Sequence, residues 1–174
     1  MGCNMTLIEI VSVPDSVLRR KAHKVTTFDK ELQILIDDMV ETMREAPGVG
    51  LAAPQVGISQ RLIVVEFNES GEENEEAPKK LFVLANPEIV KASEETLPGL
   101  EGCLSVPGLV GEVERSTQVV IRGQNRHGQP FKVKAKGWLA RIFQHEIDHL
   151  DGILFTDRAV RIWKPTKEEE VYID

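Results

Sequence analysis

Cysteine is nearly absent from this 174-residue chain, which holds only Cys3 and Cys103. So few thiols exclude a disulfide framework and make a reduced, intracellular setting the default expectation. Positive charge is scarce too. Lys and Arg number 21 against 28 Asp and Glu, a formal net charge of −7, which argues against a broad nucleic-acid-binding surface. Long apolar runs are missing: Glu9 interrupts the one apolar stretch near the N-terminus. Neither a membrane span nor a signal peptide is therefore expected. Repeats and linkers are lacking as well, so one domain over 1–174 is expected, large enough to bury a real core. Within it, residues 1–5 read as a disordered leader and 165–174 as a polar tail. The opening MGCNMT fits the loose myristoylation pattern of Gly2 with Thr6. So degenerate a match is read as part of the leader, with Met5 as an alternative start.

What is present is a helix, then strands, then a helix. Leu32, Leu35, Ile36, Met39, Val40 and Met43 recur at three- and four-residue steps, an amphipathic helical stripe. Thr26, Thr27 and Asp29 offer caps before it, and Ala46-Pro47-Gly48 ends it. A shorter helical turn is expected after Val13-Pro14-Asp15. Strands are predicted at 62–67, 81–85, 89–90, 119–122 and 131–135, separated by turn-like NES, NP and RHGQ. The acidic run 69–76 reads as a solvated loop. This order predicts an α+β fold with mostly antiparallel sheets.

The chemistry gathers on the last helix. Histidine occurs only four times, and two of the four stand in QHEIDH, at 145 and 149. From Gly137 onward, Trp138, Leu139, Ile142, Phe143, Ile147 and Leu150 cover about half the helical circumference at roughly 100° per residue. His145 and His149 fall within that inward arc, while Arg141, Gln144 and Asp148 are expected to meet water. A single buried histidine is usually structural. An i, i+4 pair with Glu146 after the first is the arrangement that clamps one cation, leaving the carboxylate free for water.

The third ligand is not fixed by spacing. A metzincin would continue through a glycine, and Gly152 is in place, but Phe155 stands where its third histidine belongs and no histidine follows. A thermolysin-like site would use a glutamate about twenty residues downstream. Glu168, Glu169 and Glu170 lie there, in a charged tail expected to be solvated. Cys103 in EGCLSVPG is the remaining candidate, and a buried apolar thiol is the bland alternative for it.

Three blocks together, GVGLAAPQ at 48–55, EGCLS at 101–105 and QHEIDH at 144–149, resemble the peptide deformylases. The likeness extends from VPDSVLRRKA to DHLDGILFTDR, with no departure at a catalytic position. It implies a metallohydrolase that removes the formyl group from the initiator methionine of nascent polypeptides, releasing formate. It also implies an α+β domain whose sheets pack around the metal-binding C-terminal helix.

The same resemblance assigns Cys103, His145 and His149 as metal ligands and Glu146 as the acid-base residue. The Gln55 amide and the Leu104 N–H become oxyanion donors. Gly48 and Gly50 let a backbone approach substrate closely, Val49 crowds the site, and Trp138 with Ile142 would wall a methionine pocket. One divalent ion is expected: the family works with Fe2+, and Zn2+, Ni2+ or Co2+ suit the same ligands. Expected partners are N-formylmethionyl nascent peptides, with the ribosome a further candidate, and neither nucleic acid nor membrane. The bacterial cytoplasm is the expected location, with an organelle as the alternative. Two other readings share the motif, a zinc endopeptidase and a non-catalytic metal-binding module. The Gln55 and Leu104 blocks count against the module, since a structural metal site needs no oxyanion donors.

Overall fold

The structure, a computed structural model, describes residues 6–169, 173 and 174. The expected leader, 1–5, lies outside the described residues. Helix α1 spans Lys30–Glu45, and the Asp29 side chain caps it by accepting from Leu32 N–H at 3.0 Å. Strands β1 (Gly50–Ala52) and β2 (Leu62–Phe67) follow, then β3 (Lys80–Ala92). Strands β4 (Thr96–Cys103), β5 (Val106–Ser116), β6 (Gln118–Gln124) and β7 (Pro130–Lys136) come next. Helices α2 (Gly137–Leu150) and α3 (Phe155–Arg158) precede the short β8 (Arg161–Trp163). One sheet has the order β1-β2-β3-β6-β7 and the other β4-β5-β8. Every pairing between these strands is antiparallel.

Strand β2 shows why the larger sheet carries helices on both faces. Its LIVVEF run is apolar without alternation because successive residues serve opposite layers. Leu62 and Val64 pack with Ile36, Met39 and Met43 of α1. Ile63 and Val65 pack with Leu139, Ile142 and Phe143 of α2, beside Phe82, Ile121 and Val133. The predicted strands 81–85 and 89–90 are one strand bent at Asn86-Pro87, with a register shift between Ala85 and Glu88. Asn86 adopts φ 52° there, and its side-chain amide pins the bend by exchanging hydrogen bonds with the Val25 backbone at 2.8 and 2.9 Å.

The strands of the smaller sheet were not among those predicted from sequence, and they change the surroundings of α2. Arg141, Gln144 and Asp148 do not face water: Arg141 and Asp148 are buried and Gln144 is half-buried. Strands β4 and β5 cover that side. Gln144 pairs with the Ser116 backbone at 2.9 and 3.1 Å, and Arg141 donates to the carbonyls of Leu97 and Val113 at 2.7 and 2.9 Å. Helix α2 is thus enclosed by both sheets. Two residues past its end, Gly152 turns the chain with a φ of 74°, where a Cβ would stand 2.6 Å from the Arg19 carbonyl. The end of the tail is not solvated either, since Ile173 and Asp174 are buried.

Candidate metal centre

Helix α2 presents His145 and His149 from adjacent turns, with ring centroids 5.1 Å apart. Cys103 meets them from the end of β4, where a register shift beside Gly102 redirects the chain. Its Sγ lies 3.7 Å from His149 Nε2. These three side chains and the Asp174 carboxylate each offer one ligand atom, and the four atoms lie within 4.8 Å of one another. All four residues are buried.

The donor set fits a divalent cation. Glu101 Oε1 accepts from His145 Nδ1 at 2.8 Å, which sets the tautomer and turns Nε2 toward the centre. Among the described residues that Nε2 has no hydrogen-bond partner although it is buried, and neither do the two Glu146 oxygens. Asp174 Oδ2 stands 3.0 Å from both His145 Nε2 and His149 Nε2. Neither approach has hydrogen-bond alignment, so the atoms converge on a shared point instead of pairing. A buried polar atom left unpaired costs ~1–3 kcal/mol. A thiol and two imidazoles converging in this way are relieved together by one ion.

The electrostatics agree. Burial, then the neighbouring Asp174, pushes the Cys103 thiol well above its ordinary value, and a bound cation reverses that by favouring the thiolate. Burial and Asp174 likewise push the Glu146 carboxyl up. Burial opposes a charge on Asp174, but His145 and His149 hold its carboxyl well below the ordinary range. Burial also opposes a charge on His145, yet Asp174 and Glu101 push its imidazole up to about 9.

Behind His145 runs a buried ion network. Arg115 donates to both Glu101 oxygens at 2.9 Å and to Asp148 Oδ2 at 2.6 Å. Arg141 reaches Glu101 Oε2 at 2.7 Å, and Arg158 grips both Asp148 oxygens at 2.6 and 2.9 Å. On the other side, Gln55 is fully buried. Its Oε1 accepts from Ala52 N–H at 3.0 Å, so its Nε2 is the group facing Ser105 Oγ at 3.2 Å and Cys103 Sγ at 3.7 Å. The Leu104 N–H points into the centre and donates to the Asp174 main-chain oxygen at 2.5 Å.

Gly48 and Gly50 adjoin this centre. A Cβ on Gly48 would meet Asp174 Cα at 3.2 Å, and one on Gly50 would meet Glu146 Oε2 at 2.5 Å. The sequence reading expected both glycines to admit substrate; here the close approach at Gly48 is to the chain's own Ile173–Asp174 segment, and at Gly50 it is to the Glu146 side chain. Ile142 belongs to the apolar cluster that also holds Ile173 and Val49. Trp138 is half-buried one turn earlier, its ring 5.4 Å from the Arg141 guanidinium. It lines a different hollow, with Leu97, Pro98 and Gly99.

The sequence profile of the polypeptide deformylases matches residues 7–164. The chain belongs to the polypeptide deformylase family. It is 51% identical to the peptide deformylase of Symbiobacterium thermophilum over 165 residues, 95% of this chain and 72% of that protein. The crystal structure of the Thermotoga maritima peptide deformylase superposes with a TM-score of 0.80 at 42% identity, covering 90% of this chain and 99% of that one. A class I type b peptide deformylase from Acinetobacter baumannii, solved bound to Met-Ala-Ser, gives 0.81 at 39% identity, covering 88% and 99%.

Several residues at this family site escaped the sequence reading. Glu101 has no role in the sequence reading beyond its place in EGCLS, although a carboxylate two residues before a candidate thiol ligand is a signal in itself. Phe155, at the position that ruled out a metzincin, stacks on His145 with centroids 6.4 Å apart and planes 17° from parallel. Arg115 and Asp174 left no local sign. Of the thermolysin-like candidates, Glu169 is engaged by Trp163 Nε1 and Thr166, Glu168 is exposed, and Glu170 lies outside the described residues.

Proposed function

We propose that Cys103, His145 and His149 hold one divalent cation at which Glu146, Gln55 and the Leu104 amide carry out deformylation. As a member of the deformylase family, this hydrolase removes the N-formyl group from nascent peptides. The convergence of three buried donors beside a carboxylate that has no partner among the described residues carries the residue assignment. A cation bound there supplies the Lewis acidity that makes hydroxide available near neutral pH. Glu146 takes the proton given up by the attacking water and delivers it to the departing amine. The Gln55 Nε2 and the Leu104 N–H donate to the oxyanion that develops on the formyl oxygen. The Ala52 N–H holds the Gln55 amide in the required orientation. Formate leaves, and the peptide keeps a free amino terminus.

Fe2+ is assigned as the native ion, with Zn2+, Ni2+ and Co2+ as replacements, because two imidazoles and a thiolate accept all four. The methionine side chain is assigned to the apolar cluster where Ile142 and Val49 meet. The A. baumannii relative, solved bound to Met-Ala-Ser, supports a peptide that begins with methionine as ligand. Residues 1–174 are assigned to one catalytic domain. A nascent-chain substrate and bacterial relatives favour action beside the ribosome in a bacterial cytoplasm.

Metal analysis of anaerobically purified variants, paired with formate release, tests the assignment. Cys103→Ser, His145→Ala and His149→Ala should each lose most of the bound metal. Glu146→Gln should retain it and lose at least ~10²-fold in kcat, as expected for a missing general base. Full occupancy in Cys103→Ser would overturn the ligand set, and metal loss in Glu146→Gln would make that residue a ligand.

A further inference from the structure

Strand β1 is the edge of the larger sheet and β4 the edge of the smaller one. The segment Ile173–Asp174 lies between these edges and bonds to both. Ile173 N–H donates to the Gly102 carbonyl at 3.1 Å, and its own carbonyl accepts from Val49 and Gly50 N–H at 2.8 and 2.9 Å. The Asp174 main-chain oxygen takes the Leu104 N–H. An extended peptide recognised by strand addition would use these same backbone groups.

The side chains fit as closely as the backbone. Ile173 is 2% exposed within the apolar cluster of Ile142. Asp174 is 1% exposed, and among the described residues its carboxylate oxygens have no hydrogen-bond partner and stand beside the two imidazoles. A carboxylate is not buried without compensation, and the compensation on offer is the metal site. Gly48 lets the segment in, since a Cβ there would touch Asp174 Cα and the Ile173 carbonyl at 3.2 and 3.4 Å.

We propose that Ile173–Asp174 is a built-in competitive occupant of the catalytic groove, its backbone filling the peptide track and its carboxylate binding the cation at the open position that substrate requires. The inference rests on the ligand set proposed above. Occupant and substrate exclude each other because both need the Leu104 N–H and the same open position. The segment is tethered, so it acts at an effective concentration on the millimolar scale, and even a weak contact holds the groove closed at rest. Formyl-peptide opens it by competition, which raises the apparent KM and leaves kcat unchanged. A groove closed ~90% of the time raises KM about tenfold.

Three proteins test this: the full chain, full-length Asp174→Asn, and a chain ending at Glu169, which keeps the Trp163 and Thr166 contacts. Formyl-Met peptide KM should fall ~5–10-fold in the shortened chain and at least partly in Asp174→Asn, with kcat unchanged. The visible absorption of the resting Co2+-substituted protein should differ between the full chain and Asp174→Asn, because one carboxylate leaves the ion. The free peptide Glu-Val-Tyr-Ile-Asp should compete with substrate in the shortened chain. Should that chain fail to fold, Asp174→Asn carries the KM and absorption readouts by itself. Unchanged KM and an unchanged Co2+ spectrum in metal-loaded, active Asp174→Asn would overturn the proposal while leaving the ligand set standing. Metal retention in Cys103→Ser would overturn the ligand set instead.

Discussion

At the scale of single residues, the reactive atoms stand among groups that leave them no slack, and Gly50 is the clearest case. Its backbone is not in the left-handed region, so alanine is conformationally acceptable there. The added Cβ, however, would stand 2.5 Å from Glu146 Oε2 and 2.9 Å from its carboxyl carbon. Those atoms are the far end of a flexible side chain, so the collision is relieved by swinging Glu146 aside at small cost to the fold. Catalysis is less forgiving, because a misplacement of about 1 Å can cost ~10²-fold. Gly50→Ala should therefore keep its metal and its melting temperature while kcat falls by about that factor. Unaltered kcat would mean that Glu146 has room to work from another position, and metal loss would place Gly50 in the support of the ligands.

At the scale of elements, α1, β2 and the two histidine positions were legible because each depends on a local period. The β4-β5 hairpin was not. Pro98, Gly99 and Gly102 break up β4, and Pro107, Gly108 and Gly111 break up β5. The face of α2 opposite its apolar stripe was misread for the same reason. A helical wheel sees one helix and cannot register a second sheet that satisfies Arg141 and Asp148 from strands distant in sequence. Glu101 joins that sheet to the metal site. Burial would raise its carboxyl, but Arg115 and His145 hold it below the ordinary carboxylate range. A carboxyl lowered on folding adds stability that is fully present above its unfolded value of about 4.5, and that stability is lost as pH falls through the lower folded value. In metal-free protein, the urea-unfolding advantage of the wild type over Glu101→Gln should shrink between about pH 5 and 3, by at most ~1.4 kcal/mol per pH unit. At neutral pH the same variant should bind metal ~10–100-fold more weakly, as expected when a ligating histidine loses its carboxylate. A constant stability gap with unchanged metal affinity would reduce Glu101 to a packing residue.

At the scale of the whole molecule, two antiparallel sheets approach each other edge to edge over one buried helix, and the proposed catalytic groove is the gap between their edges. Its width follows from fixed backbone. Val49 precedes β1 on one side, the Cys103-Leu104 turn ends β4 on the other, and the metal position forms the floor. The formyl carbon carries only hydrogen, so it can reach Glu146 and the Leu104 N–H without displacing either wall. An acetyl carbon carries a methyl that must enter the same gap at the reacting centre. A methyl that merely fits poorly in a pocket costs ~1–3 kcal/mol, and one pressed against sheet backbone that cannot relax should cost more. Formyl-Met peptides should therefore be turned over at least ~10²-fold faster, by kcat/KM, than their acetyl-Met counterparts. Internal peptide bonds, with a bulkier carbon on both sides of the amide, should remain uncut. Comparable turnover of the two blocked peptides would mean that the sheet edges part during catalysis. Casein cleavage without formate release would point to an endopeptidase groove open along its length.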